Sequence, residues 1–487
     1  MISAYTNTLS TRKEHTMLPC PYAKKCGGCS LQNLPYEEQL HLKQAKLIKL
    51  LGRFGRVEEI IGMEDPTHYR NKIQAAFRSK SGKVVSGVYQ SASRRIVEVE
   101  SCMLEDECAA PILATIRKLC ASMKIRPYDL ESGQGFLRHV LIRKGFVSGE
   151  IMVVLVTTKG EFRSERSFVN ELLRRHPEIT TLVRNINLTD TALFLGSESH
   201  VLHGEGYITD RLCGLEFRIS PRSFYQVNPI QTESLYGKAK EFAGLTGRET
   251  VIDAYCGTGT IGLTVASAAK EVIGVEVNKD AVADAMENAR RNGVTNATFH
   301  AADAGEFMEA MALRGQSADV VITDPPRAGC SGKFLHSLMK LAPKRIVYVS
   351  CNPETLARDL YTLTKGGYKV RRIQPVDMFP FTSHVETVVL LSKGHIDSKK
   401  IRVEFSLEDM DMSEFQNDAT YPQIKEYVLE HTGLKVSSLY IAQVKQKCGI
   451  IERENYNKPK SENPKQPKCP PEKEKAIMEA LKYFGMI

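Results

Sequence analysis

The first feature able to do chemistry is a cysteine set directly before a helix start. Arg345-Ile-Val-Tyr-Val-Ser-Cys-Asn-Pro-Glu354 reads as a buried strand followed by a helix, with Asn352 a good N-cap and Pro353 a good first helical residue. There, backbone N–H groups and the helix dipole favour the thiolate of Cys351, the form that adds to an electrophilic carbon. Such an addition needs a base to complete it, and Glu386 offers a carboxylate at the start of the strand-like run His384–Ser392. If that run lies antiparallel to the rest of its sheet, Cys351 and Glu386 meet at one edge although they are far apart in the chain. His384 is the weaker candidate for the base. The ordinary roles of these residues are a small buried thiol and a solvated carboxylate, so their context must carry the assignment.

A second constellation is glycine-rich. Val251-Ile-Asp-Ala-Tyr-Cys-Gly-Thr-Gly-Thr-Ile-Gly262 is an apolar strand that ends in a tight turn before a helix, where backbone can pass close to a ligand. The next strand ends in Glu276, about twenty residues on, placed for ribose hydroxyls. The spacing of Gly257, Gly259 and Gly262 alone leaves a nicotinamide cofactor open. Asp253, before the turn, would repel a pyrophosphate and suits a cationic amino-acid cofactor such as S-adenosylmethionine. Cys256 competes as nucleophile, but its turn calls for a small packing residue. Asp324-Pro-Pro-Arg-Ala-Gly329 ends another strand, and its prolines can hold Asp324 toward the N–H of a pyrimidine or serve only as a strand-end turn. Arg327 stands where amino-group methyltransferases often carry a base-stacking aromatic, which argues against that chemistry.

The third constellation is Cys20, Cys26 and Cys29, with a fourth thiol from Cys102 or Cys108. Three close thiolates and a distant one suit a cubane iron–sulfur cluster, and zinc is the second choice because its sites more often come as two close pairs. The gaps differ from the three-and-two spacing of radical adenosylmethionine enzymes.

These residues need a scaffold, and the pattern of elements predicts one. Residues 1–19 are polar and expected to be disordered. From Cys20 to about residue 220, a helix (Tyr36–Leu51) and short strand-like runs (Lys83–Tyr89, Arg95–Glu100, His139–Arg143, Ile151–Thr157, Thr181–Asn187) predict an α+β domain rich in antiparallel pairing. Over residues 221–394, runs at Thr250–Tyr255, Glu271–Val277, Thr298–Ala302, Ala318–Asp324 and Arg345–Ser350 alternate with helices such as Lys279–Asn292, the rhythm of a doubly wound parallel sheet. Tyr368–Asp377 and His384–Ser392, joined by a short link, predict an antiparallel hairpin at its edge. Residues 395–487 form an extension: helices at Tyr421–Thr432 and Val436–Lys447, a linker over Asn457–Pro471, and a last helix from Glu472.

Bulk properties restrict the class. The 487 residues exceed one core, no apolar run approaches a bilayer span, and no secretory leader precedes Cys20, so a cytoplasmic protein is expected. Twelve cysteines then read as thiols, ligands or nucleophiles rather than disulfides. The net charge of +9 lies wholly in residues 1–394, because acidic and basic residues balance beyond them. An excess of this size fits a polyanionic partner without requiring one.

Taken together, the chain resembles the RNA (uracil-5-)-methyltransferase family, and most closely its iron–sulfur branch acting on large-subunit (23S) ribosomal RNA. The resemblance spans roughly Cys20 to Leu391 and rests on Cys20-x5-Cys26-x2-Cys29 with Cys102, Phe224-Tyr-Gln-Val-Asn228, Asp253-Ala-Tyr-Cys-Gly-Thr-Gly259, Asp324-Pro-Pro-Arg327, Ser350-Cys-Asn-Pro353 and His384-Val-Glu386. It implies a Rossmann-like methyltransferase sheet behind an iron–sulfur and RNA-binding domain, and S-adenosylmethionine bound by Gln226, Tyr255, Thr260, Glu276, Asp303 and Asp324. It also implies a 4Fe-4S cluster on Cys20, Cys26, Cys29 and Cys102, with Cys351 as nucleophile and Glu386 as base. The chemistry follows: carbon 5 of uracil becomes nucleophilic only after a thiolate adds to carbon 6, and a base must then remove the carbon 5 proton.

The chain departs from the family in two ways. Too few residues precede Cys20 for the small RNA-binding barrel, called TRAM, that opens many relatives, and the extension beyond Lys393 is foreign to the pattern. One expectation is that the extension partly replaces the barrel; its balanced charge fits a protein contact or an inert appendage equally well. A monomer is expected. Competing readings are a transfer-RNA T-arm uridine methyltransferase, whose branch usually lacks the cluster cysteines, and a non-catalytic iron–sulfur RNA-binding protein, against which Cys351 and Glu386 speak.

Overall fold

The computed structural model describes residues 20–90, 95–188, 194–393, 421–448 and 469–484. The stretch expected to be disordered at 1–19 and most of the expected linker at 457–471 lie outside the described residues. Contacts group the chain up to Ile396 into one compact unit and Asp397–Ile487 into another.

The first unit opens with one helical turn, α1 (Ala23–Cys26), and the amphipathic α2 (Tyr36–Leu51). β1 (Lys72–Lys80), β2 (Lys83–Tyr89), β3 (Ile96–Glu98), α3 (Ala109–Ser122), β4 (Leu137–Lys144), β5 (Ile151–Thr157), α4 (Glu165–Arg175), β6 (Ile179–Ile186) and β7 (Glu198–His203) follow. The seven strands pair in the order β3-β2-β1-β4-β5-β6-β7, antiparallel except for β5 and β6, which α4 connects in parallel. The unbroken apolar run of β5 needs burial on both faces, and it has it. Ile151, Val153 and Leu155 pack against Ile112, Ile116 and Leu172 of the two helices, while Met152, Val154 and Val156 enter the core shared with the second half of the unit. That shared core is why the two halves are not separate bodies.

A hairpin, β8 (Ile208–Leu212) with β9 (Leu215–Ile219), and α5 (Pro229–Ala243) lead into the second sheet. Its elements are β10 (Thr250–Ala254), α6 (Thr260–Ala266), β11 (Glu271–Glu276), α7 (Lys279–Arg291), β12 (Ala297–Ala301), α8 (Ala304–Leu313), β13 (Val320–Thr323), α9 (Gly332–Leu341), β14 (Arg345–Ser350), α10 (Pro353–Lys365), β15 (Tyr368–Val376) and β16 (Glu386–Lys393). The order is β12-β11-β10-β13-β14-β16-β15. The first five strands are parallel, and the order reverses between β10 and β13, where a doubly wound sheet opens its ligand crevice. β16 lies antiparallel to both β14 and β15 and is inserted between them, so β15 takes the edge.

The second unit contains α11 (Tyr421–Thr432), α12 (Ser438–Lys447) and α13 (Pro471–Tyr483), which close on a small core of Ile424, Val428, Ile441, Val444, Ile477 and Leu481.

Candidate active site

The crevice is built first by the turn after β10. Tyr255 takes a left-handed conformation with φ of 62°, which swings the chain over the sheet edge and sets its ring against Phe334, with centroids 5.1 Å apart. Gly259 also has positive φ, and a β-carbon there would stand about 3 Å from Phe299 and Ala285, so the close turn requires glycine. Thr260 begins α6, and its hydroxyl pairs with Tyr236 at 3.0 Å. Glu276 ends β11, and its carboxylate accepts from the N–H groups of Gly257 and Asn278. Asp303 caps α8 by accepting from the N–H of Glu306. Asp324 follows β13. All five therefore stand at the carboxyl edge of the parallel strands. Gln226 comes from the loop before α5, which touches the turn where the Thr258 hydroxyl donates to the Phe224 carbonyl.

Asp253 corrects the expectation drawn from its charge. It faces inward, buried, and accepts from the Gly262 N–H at 2.7 Å, so it braces the start of α6. Burial raises its carboxyl to about 7, which removes the force of the phosphate-repulsion argument. Its other oxygen has no hydrogen-bond partner among the described residues. Cys256 is also buried, and burial with the neighbouring carboxylates Asp253 and Glu276 pushes its thiol far up, a poor setting for a nucleophile.

The second wall of the crevice comes from β14 and β16. Ser350 pairs with Thr387 as the last pair of the antiparallel β14–β16 register, and Cys351 and Glu386 are the residues that come next beyond it. The Asn352 side chain accepts from the Glu354 N–H, and Pro353 opens α10, as the local sequence predicts. The thiolate expectation fails in the ligand-free protein. Cys351 lies one residue before the cap, and burial, then the charges of Glu386 and Asp324, push its thiol up to about 11 against the opposing pull of Arg327. Glu386 is raised well above an ordinary carboxylate by burial, then by Asp324, again opposed by Arg327. Burial raises Asp324 to about 7. The site thus keeps a nucleophile and two carboxyls poised to hold protons, with one guanidinium working toward ionisation. His384 is exposed, and burial of its ring followed by Arg327 and Lys43 lowers its pKa.

Three side chains of α10 and its cap fix the segment carrying Arg327. Asn352 and Thr355 donate to the Arg327 carbonyl, and Arg358 donates to the carbonyls of Ala328 and Cys330. Sequence reasoning treated Arg327 only as a missing aromatic and overlooked it as the cation facing the nucleophile and base. It also passed over Phe224 and Val277, large apolar side chains two-thirds exposed beside Gln226 and Glu276. An exposed apolar residue flanking a polar binding residue is the signal that only the fold reveals.

The N-terminal thiols draw together. Cys29 is pushed up to about 12 by burial and then by Cys102, Cys26 and Cys20, and Cys102 is pushed up to about 11 by burial and Glu105, with Cys20 adding a smaller effect. Cys108 instead precedes α3, and burial and then Asp106 raise its thiol, with none of the other three cysteines acting on it. The donor set suits a four-thiolate group, whose cationic metal would relieve this mutual repulsion. Yet among the described residues no three ligating side chains stand in an arrangement that holds a metal ion. Among the described residues no helix is long and apolar enough to cross a membrane.

Comparison with known proteins agrees with this geometry. A family model described as tRNA (uracil-5-)-methyltransferase matches residues 35–394. The chain is 43% identical over 390 residues to an uncharacterized RNA methyltransferase of Halalkalibacterium halodurans, covering 79% of this chain and 85% of that protein. It is 42% identical over 399 residues to one of Clostridium acetobutylicum, covering 80% and 87%. A solved structure, the Pyrococcus abyssi tRNA (uracil-54, C5)-methyltransferase in complex with S-adenosyl-L-homocysteine, is similar with a TM-score of 0.64 and 30% identity, covering 75% of this chain and 86% of that one.

Proposed function

This chain belongs to the tRNA (uracil-5-)-methyltransferase family and is an RNA methyltransferase, and from that premise we propose that it methylates carbon 5 of a uridine in 23S ribosomal RNA through Cys351 and Glu386. The observation that carries this reading is the β14–β16 register, which sets a cysteine and a carboxylate side by side at the mouth of the sheet.

Gln226, Tyr255, Thr260, Glu276, Asp303 and Asp324 would hold S-adenosylmethionine along the carboxyl edge, where it would supply a sulfonium methyl and be left as S-adenosylhomocysteine. Cys351 loses its proton to solvent and adds as the thiolate through sulfur to carbon 6 of uracil, which leaves the ring anionic and carbon 5 nucleophilic. Arg327, already working toward ionised Cys351 and Glu386, offsets that charge. After carbon 5 has gained its methyl, Glu386 takes the carbon 5 proton, the carbon–sulfur bond breaks, and Cys351 leaves as the thiolate. The raised basicity of Glu386 matches that task.

The cysteine set favours ribosomal RNA as substrate, and the reading includes a 4Fe-4S cluster on Cys20, Cys26, Cys29 and Cys102, supported by the spacing of three close cysteines with a distant fourth and by their thiol chemistry. Iron and sulfide in anaerobically purified protein are the expected analysis, and zinc in their place would reassign the site. The similarity to a transfer-RNA enzyme supports a second reading, a uridine of the T arm. Transcripts of 23S and transfer RNA containing 5-fluorouridine separate the two, since fluorine at carbon 5 cannot leave as a proton and freezes the covalent complex. A denaturant-resistant complex with the ribosomal transcript is expected. A complex with transfer RNA alone would move the substrate, and none with either would overturn the mechanism.

A further inference from the structure

The segment between β15 and β16, residues 377–385, delivers Glu386 to the site, and a distant part of the chain grips it at nearly every turn. Lys43 of α2 is buried and donates to the Asp377 carboxylate at 2.6 Å and to the Phe379 carbonyl at 3.1 Å. The Tyr36 hydroxyl donates to the other Asp377 oxygen at 2.9 Å. Phe381 is held on both sides of its backbone: its N–H donates to the Gln39 side chain at 2.8 Å, and its carbonyl accepts from the Leu31 N–H at 2.9 Å. The Ser383 N–H donates to the Ser30 hydroxyl at 2.9 Å.

Phe381 is also left-handed, with φ of 66°, a conformation that costs a bulky residue free energy and survives only where its surroundings over-determine it. Its ring is fully buried with Met63, Tyr69 and Leu104, and Cys29 and Cys102 pack on that cluster. Five residues later comes Glu386, buried in the strand, whose carboxylate forms no hydrogen bond among the described residues. Nothing of that kind near the carboxylate aims it, so its aim is inherited from the backbone that precedes it.

From this geometry we infer that Ser30, Gln39 and Lys43 are positioning residues for Glu386: the strap from Ser30 to Lys43 sets the approach of the base to carbon 5. The inference rests on the function proposed above and adds a division of labour to it. The strap acts on proton removal, the second half of the reaction, and leaves thiol addition and methyl transfer to the Cys351 side of the crevice. Loosening it should trap the enzyme after methyl transfer, with the methylated ring still joined to Cys351.

The test is single turnover on RNA containing ordinary uridine, with a radiolabelled methyl donor, following both formation and decay of the methyl-bearing denaturant-resistant complex. In Lys43→Met, decay is expected to slow about tenfold or more while formation stays within twofold of the parent. Lys43→Arg, which keeps the cation, should restore most of the decay rate. Because the buried Lys43 variant can fail to fold, Ser30→Ala and Gln39→Leu serve as milder probes, each expected to slow decay severalfold. Equal decay in all variants, or formation and decay falling together in the folded ones, would overturn the inference. If the parent protein itself forms no complex, the failure belongs to the proposed mechanism and not to the strap.

Discussion

Cys351→Ala should lose turnover by about 10⁴-fold or more while still binding the methyl donor, because removing a covalent nucleophile removes the pathway and not merely a contact. The substitution trims one sulfur from a half-buried position, so the unfolding free energy should shift by about 1 kcal/mol or less, and a melting curve separates chemistry from collapse. The expected assay result is no covalent complex with 5-fluorouridine RNA; a complex of undiminished yield in this variant would place the nucleophile elsewhere. The same thiol should govern pH dependence. Burial and two carboxylates raise it to about 11, so at neutral pH it is almost wholly protonated, and more thiolate forms as pH rises. The rate of complex formation should therefore climb about tenfold per pH unit between roughly pH 7 and 9. A plateau beginning below pH 7 would mean that RNA or donor binding had already ionised the sulfur.

Glu386→Gln should produce the opposite phenotype with a comparable loss. The amide cannot take the carbon 5 proton, so turnover should fall by about 10³-fold while the covalent, methyl-bearing RNA complex accumulates on ordinary uridine. Accumulation is the decisive readout, since a merely misfolded variant forms no complex at all. His384→Gln provides the comparison. Its ring is exposed and held toward the neutral form, able in principle to accept a proton, but it sits outside the strand pair that aligns Glu386 with Cys351. If His384→Gln traps the complex and Glu386→Gln does not, the base has been misassigned.

Much of this site was legible before any coordinates because it is written in local rules. Asn352-Pro353 marks a helix start in any context, and the residue before it is placed with it. The alternation of strands and helices from Thr250 onward fixes a parallel sheet, and a link of nine residues to the last strand forbids a crossover. Those two facts make the last strand antiparallel to its neighbour, and the fold decides that it lies beside β14 and so brings Glu386 toward Cys351. What stayed hidden depends on burial and long-range contact. Asp253 is an acidic residue before a glycine turn whichever way its carboxylate points, and only the packed fold turns it toward Gly262. The helix start at Cys351 was visible; the burial that raises its thiol, and after it the charges of Glu386 and Asp324, arrive through tertiary structure. Phe381 carries no sign of its left-handed backbone, since no glycine or asparagine marks the position. Nor does any periodicity reveal that Lys43, midway along an ordinary amphipathic helix, is buried against an aspartate more than three hundred residues away.

The insertion of β16 between β14 and β15 has a consequence for a nascent chain. β14, α10 and Cys351 are made before β15, and Glu386 comes only with the last strand. The strand that brings it must thread between two neighbours already made, one of them waiting as a detached edge. On the proposed roles, a chain cut short before β16 would carry the nucleophile without the base that frees the product. The last strand of the sheet would then be the step that makes repeated turnover possible.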